Sequence, residues 1–239
     1  MSQRFVRMKR LLGVPAMERL AVASVIVFGV GGVGSYVAEG LARGGVGRLI
    51  LVDDDRIAES NINRQIHALS DTVGRMKTEV MKERILQINP EAEVVTCETF
   101  VLSDNAAPIL DLGADYVVDA LDTVTAKIAI ATEAKKRSIP VISCMGTGNK
   151  LHPELLKIGD LFDTKVCPLC KVMRRELKKR GADSLKVLYS EEVPLTPIEF
   201  SEEEGKHGKR VTPGSVSFVP PVAGLMIAGE VIRELTGQN

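Results

Sequence analysis

The chain has 239 residues, 45% of them apolar and 26% charged, and its 31 basic and 31 acidic side chains leave a formal net charge of zero. That composition suits one α/β core plus an appendage, and the balanced charge excludes general attraction to nucleic acid or an anionic membrane, so an RNA partner has to be held by local patches. No run of about 18 apolar residues occurs, and the basic start through Arg4 and Arg7 is not followed by an apolar signal core, so the sequence predicts a cytoplasmic protein with no transmembrane segment.

Residues 4–20 predict a short helical N-terminal arm, with Leu11, Leu12 and Leu20 apolar and with Gly13 and Pro15 as interruptions. The β-branched run at 25–28 predicts a buried strand that leads into a glycine-rich turn, then a helix from Gly32 to Arg43 stopped by Gly44 and Gly45. A strand at 48–52 completes a βαβ unit. After a polar loop, Met76, Val80, Ile85 and Ile88 mark one face of a helix over 75–89, which Pro90 ends. A strand at 93–97, a short helix near 104–112, a buried strand at 115–119, a helix over 124–137 and a strand at 140–144 follow, closed by a loop at 145–150. Beyond 151 the texture changes. Short strands at 155–158 and 185–189 flank a basic helix over 168–180, residues 190–213 predict a mobile loop, and an apolar helix covers 221–235. The expected architecture is a Rossmann-like α/β fold with a doubly wound, mostly parallel sheet. Residues 1–150 form the nucleotide-binding domain with its arm, and 151–239 a smaller C-terminal extension packed on it.

The turn Gly29-Val30-Gly31-Gly32-Val33-Gly34 directly after a strand is the join that seats a nucleotide phosphate on a helix N-terminus. Gly29 allows the tight turn, Gly31 allows phosphate to approach the backbone, and Gly34 allows close helix–strand packing. The second strand ends in Asp53, placed to accept ribose hydroxyls. Two further groups, Asn61-Ile62-Asn63-Arg64-Gln65 and Gly74-Arg75-Met76-Lys77, bring an amide, a guanidinium and an ammonium to the same sheet edge, where they can grip a triphosphate. Asp122, at the end of the fourth strand, is the candidate Mg²⁺ ligand. The absence of a Walker motif excludes a P-loop ATPase.

Gly29 to Gly34, Asp53, Asn61 to Gln65, Gly74-x-x-Lys77 and Asp119-x-x-Asp122, in this order, resemble the motif set of the E1-like adenylating enzymes over roughly residues 4–150. The resemblance implies ATP and Mg²⁺ as cofactors. Asp53 with Asp55 would hold the ribose side, Asn61, Arg64, Gln65 and Lys77 the phosphates, and Asp122 the metal. Arg4-Phe5-Val6-Arg7 is similar to the family's N-terminal arm, which implies that Arg7 reaches the partner's ATP site in a homodimer. The segment Asn63-Arg64-Gln65-Ile66-His67-Ala68-Leu69 most resembles the tRNA threonylcarbamoyladenosine dehydratase branch. That likeness implies activation of a tRNA-borne threonylcarbamoyl carboxylate at adenosine 37 and loss of one water, with Arg7, Arg64, Lys77 and Asp122 serving the chemistry. A sulphur-transfer protein is a further candidate partner. The alternative within the superfamily is an adenylyltransferase that activates the Gly-Gly end of a ubiquitin-like sulphur carrier. An NAD-dependent oxidoreductase would leave Asn61, Arg64, Lys77 and Asp122 without a task, and a non-catalytic nucleotide-binding regulator would not need them all.

Cys167-Pro168-Leu169-Cys170 has zinc-ligand spacing, yet a structural zinc needs four ligands, and His152, His207 or a partner subunit would have to complete it. A pair of reduced thiols is the plainer reading. Cys144 reads as a buried core residue rather than a nucleophile. Lys171, Arg174, Arg175, Lys178, Lys179 and Arg180 crowd one helix, with Lys206, Lys209 and Arg210 further on. They form either an RNA-facing patch or an ordinary solvated face. With 4% aromatic residues and no Trp, base-stacking platforms are not evident.

Overall fold

A computed structural model describes residues 3–198 and 213–238. The apolar run after Ala23 becomes β1 (Ser24–Phe28), buried at every position. It pairs in parallel with β2 (Arg48–Val52) on one side and β4 (Tyr116–Asp119) on the other. β3 (Glu93–Cys97) lies outside β2, and β5 (Val141–Cys144) outside β4, again in parallel. β7 (Lys186–Ser190) continues the parallel series beside β5, and β6 (Leu156–Asp160) closes the edge as the antiparallel member. The order β3-β2-β1-β4-β5-β7-β6 reverses between β1 and β4. At such a reversal the loops diverge and leave a crevice beyond the strand C-termini. The segment past residue 150 contributes two strands to this same sheet.

Side-chain alternation divides the core. Val25 and Val27 join the cluster under α3 (Gly34–Gly44), α4 (Lys77–Ile88) and α8 (Val219–Thr236), whereas Ile26 and Phe28 face α5 (Ala106–Leu110) and α6 (Val124–Lys136). α7 (Pro168–Lys178) covers a third cluster with Met145, Leu161 and Val187. Each fully buried aliphatic side chain contributes about 1.5–3 kcal/mol. The N-terminal arm is α1 (Val6–Leu12) and α2 (Val14–Val22), hinged at Gly13. Phe5 and Met8 lie against Gly45 and Gly44 at the C-terminal end of α3.

Two helix starts fall later than the periodicity suggests. α3 begins at Gly34 because residues 31–33 are spent on the turn. α4 begins at Lys77 because Arg56 and Met76 form an isolated bridge and the Lys77 N–H donates to the Asp55 carbonyl, which keeps 75–76 extended. Residues 191–198 form no regular element, and Glu192 is anchored there by accepting the N–H groups of Leu151 and His152. The rest of the expected mobile loop, with Lys206, His207, Lys209 and Arg210, lies outside the described residues. Among the described residues no helix is long and apolar enough to cross a membrane.

Candidate active site

At Gly29 and Gly34 the glycine turn closes onto its neighbours with no room for a side chain. Gly29 has φ of 84°, and a Cβ there would stand 2.8 Å from the Ala120 carbonyl oxygen; at Gly34 a Cβ would fall 1.7 Å from the Gly29 oxygen. Asp53 ties this turn to the end of β2. Its Oδ2 accepts the Val30 N–H at 2.7 Å and its Oδ1 accepts the Asp55 N–H at 2.9 Å. Burial raises the Asp53 carboxyl above the usual carboxylate range, against the pull of the Lys77 ammonium. Lys77, the first residue of α4, is itself buried, with Nζ 2.5 Å from Asp55 and 3.7 Å from Asp53. One ammonium therefore serves two carboxylates at the sheet edge.

Above the turn lie the residues that follow the second strand. The Arg64 side chain passes 3.3 Å from where a Gly32 Cβ would stand, and Nη1 donates to the Ser60 carbonyl and Asn63 Oδ1, both at 2.8 Å. No carboxylate pairs with Arg64 among the described residues. Gln65 is buried beside Gly31, where its Nε2 lies 3.9 Å from the Cβ position, and its Oε1 has no hydrogen-bond partner. Asn61 spends its carbonyl locally by accepting the Ala58 N–H at 3.0 Å. Asn63 reaches across to the Ser215 carbonyl. Deeper still, both ring nitrogens of His67 and the Thr78 hydroxyl are buried without partners. Burial first, then the Lys77 and Arg84 charges, push His67 down to about 4, so its ring is neutral at physiological pH.

Asp122 stands exposed just beyond β4, and among the described residues its carboxylate accepts from the Thr123 hydroxyl alone, at 3.4 Å. Asp119, three residues earlier, is held by Lys127, which the motif reading did not single out. The Lys127 ammonium, fully buried, donates to Asp119 Oδ2 at 3.0 Å, Ser143 Oγ at 3.2 Å and the Cys144 carbonyl at 2.7 Å. Ser143 Oγ donates to the same Asp119 oxygen, and Asp119 Oδ1 accepts the Leu121 N–H at 3.1 Å, which bends the chain toward Asp122. A lysine between Ala126 and Ile128 on an otherwise apolar helix face was the available signal.

The remaining predicted residues lie apart from this edge. Arg7 is on an exposed face of α1, whose neighbours Phe5 and Met8 pack at the far end of α3 from the glycine turn. Cys167 caps α7 and Cys170 lies in its first turn; both are buried and reduced. The Cys170 thiol donates to Cys167, and that hydrogen bond drives the Cys167 thiol down while Cys170 rises. Among the described residues no third ligand joins the pair, and His152 is turned to Glu154 at 2.7 Å. Cys144 is buried, and its thiol is pushed up to about 12 by that burial.

A sheet that reverses at β1 and β4, a glycine turn fastened by an aspartate, and cationic and amide groups gathered above it define a nucleotide-binding α/β protein. The ThiF family model matches residues 3–239, and the chain belongs to that family. It is 43% identical over 242 residues to the tRNA threonylcarbamoyladenosine dehydratase of Bacillus subtilis, covering 98% of this chain and 95% of the relative. Its fold matches the crystal structure of E. coli tRNA N6-threonylcarbamoyladenosine dehydratase, TcdA, in complex with ATP, with a TM-score of 0.89 and 35% identity over 99% of this chain and 95% of that one. A second structure of that enzyme, in complex with AMP, matches with a TM-score of 0.88.

Proposed function

We propose that the chain is an ATP-dependent dehydratase that closes the threonylcarbamoyl group of a tRNA adenosine into a ring. The observation that carries this reading is the polar set at the switch point: Arg64 with no carboxylate partner among the described residues, and Gln65 beside Gly31 with its Oε1 buried and unpartnered. These features fit a bound nucleotide, because a buried carbonyl left unpaired costs about 1–3 kcal/mol until something satisfies it. The likeness in sequence to the dehydratases supports the choice of substrate.

In this reaction a carboxylate oxygen of the modification attacks the α-phosphorus of ATP, the bond to the bridging oxygen breaks, and pyrophosphate departs. A heteroatom of the carbamoyl unit then attacks the activated acyl carbon and loses its proton. AMP leaves with the former carboxylate oxygen, and the nucleoside has lost one water. The nucleophile is already tethered to the electrophile, so the enzyme needs only to activate and orient, and no enzyme thioester is required. Asp53 and Asp55 take the ribose side. Arg64, Asn61 and Lys77 neutralise phosphate charge that grows as pyrophosphate separates. Lys77 does this at the cost of loosening its hold on Asp55. The exposed carboxylate of Asp122, which has no ion-pair partner among the described residues, fits a Mg²⁺ ligand, and magnesium bound there would supply further charge neutralisation. Arg7 lies too far along α3 to serve its own glycine turn, which supports a homodimer in which it serves the partner's. Among the described residues Cys167 and Cys170 stand as a pair, which lends zinc no support.

The test is incubation of the protein with ATP, Mg²⁺ and tRNA bearing threonylcarbamoyladenosine, followed by nucleoside mass spectrometry. Loss of one water with AMP release is expected. AMP formed only with a ubiquitin-like carrier would move the assignment to sulphur-carrier activation.

A further inference from the structure

α7 sets two faces against each other. Cys170, Met173 and Leu177 are buried in the cluster that contains Met145, the residue following β5 at the Asp122 edge of the sheet. The opposite face carries Lys171, Arg175 and Lys178, all exposed and within about 60° of arc at 100° per residue. Lys171 and Lys178 are about 10 Å apart along the axis. Lys165 precedes the helix at the end where Cys167 is close enough to Cys144 of β5, and to Lys150 beyond that strand, to feel their charges.

These cations do not share one environment. Arg175, Lys179 and Arg180 converge on Glu176 at 3.0–3.2 Å and hold its carboxyl down to about 2. Arg174 turns inward, donating to the Thr164 carbonyl at 2.8 Å. Lys165, Lys171 and Lys178 have no ion-pair or hydrogen-bond partner among the described residues. Of the nearby carboxylates, Asp183 is taken by Lys135 at 2.8 Å, and Asp163 pairs with none of the three. The helix therefore presents a row of unspent ammonium groups that starts beside the active-site edge and runs away from it.

We infer that this row is the surface along which the tRNA sugar–phosphate backbone lies. The inference rests on the dehydratase reading and adds to it the residues that hold the RNA outside the nucleotide site. A chain with no net charge and few aromatic residues has little general field and few stacking platforms to hold RNA, so phosphate contacts from local basic side chains have to do it, and this row supplies three. Ammonium groups suit this task because they bind phosphate as point charges without a demand on base identity.

The experiment compares the full-length wild type with Lys165→Ala/Lys171→Ala/Lys178→Ala for tRNA affinity across a salt series, with ATP affinity and thermal melting measured beside it. Three lost phosphate contacts should make the log–log salt dependence of binding shallower by about 2 units. ATP affinity and melting should stay at wild-type values, because the three side chains are exposed and lie outside the nucleotide site. The dehydration rate should fall at low tRNA concentration and recover at saturation. The matching triple Lys→Arg variant should restore the wild-type slope. An unchanged slope in the alanine variant would overturn the inference. Failure of the wild type to bind or dehydrate tRNA would instead overturn the dehydratase reading, so the two failures are distinct.

Discussion

Lys127 and Asp119 form an ion pair whose side chains are 0% and 1% exposed, so removal of one partner strands a charge in the core. Lys127→Met keeps the volume and deletes the ammonium. The Asp119 carboxylate then keeps only the Ser143 hydroxyl and the Leu121 N–H, and the Cys144 carbonyl loses its donor. Breaking such a pair costs about 3–5 kcal/mol, which in a chain of this size lowers the melting temperature by about 6–20 °C. Adding Asp119→Asn removes the stranded charge while an amide oxygen still accepts from Leu121. The double variant should therefore regain about 2 kcal/mol over Lys127→Met alone. Because Asp119 bends the chain that carries Asp122, Lys127→Met should also raise the Mg²⁺ concentration needed for half-maximal AMP formation. Calorimetry and a magnesium titration read the two effects. A Lys127→Met protein that melts within about 2 °C of wild type, or a double variant no better than the single, would refute the reasoning.

Asp122→Ala should abolish AMP formation yet shift stability by no more than about 0.5 kcal/mol, since the side chain is exposed and almost unpartnered; normal turnover would remove Asp122 from the metal assignment. Arg7→Ala and Asp122→Ala proteins, each inactive, should recover about a quarter of wild-type turnover when their subunits are exchanged at equal amounts, since half the two-fold dimers would then hold one whole composite site. No recovery would count against action in trans. For His67, the unfolded ring binds a proton near 6.5 and the folded one only near 4. Stability present above pH 6.5 should accordingly drain away as pH falls toward 4, by about 3 kcal/mol from this residue. Denaturant unfolding of His67→Leu should show a flatter acid limb, and parallel curves for the two proteins would exclude the buried neutral ring as its source.

What could be read from residues alone was whatever depends on local pattern. The β-branched runs at β1, β2 and β4 announce buried strands, and Gly29 to Gly34 followed by Asp53 announces the phosphate turn. Arg64, Gln65 and Lys77 stood out as short polar clusters at motif spacing, and the structure brings them to the one sheet edge. Pairing over long separations was not. β7 joins β5 across more than 40 residues of chain, and strand-forming residues state that a strand exists without stating its neighbour. The Lys127–Asp119 contact was hidden because a lysine in a helical pattern reads as solvated, and its burial follows from how α6 lies on β4 and β5. Asn61 had the right residue type at the right spacing, but the local turn claims its carbonyl, which leaves its amide as the group free to meet a ligand. The Cys167 and Cys170 spacing was plain. That no third ligand stands near it among the described residues depends on how α7 packs, which spacing does not encode.

Activation of the tRNA carboxylate by transfer of AMP to its oxygen leaves an isotopic trace, read by supplying tRNA whose threonylcarbamoyl carboxylate carries heavy oxygen and weighing the AMP released. One heavy oxygen should appear in each AMP and one should stay in the ring carbonyl. Unlabelled AMP, or ADP in its place, would contradict that activation.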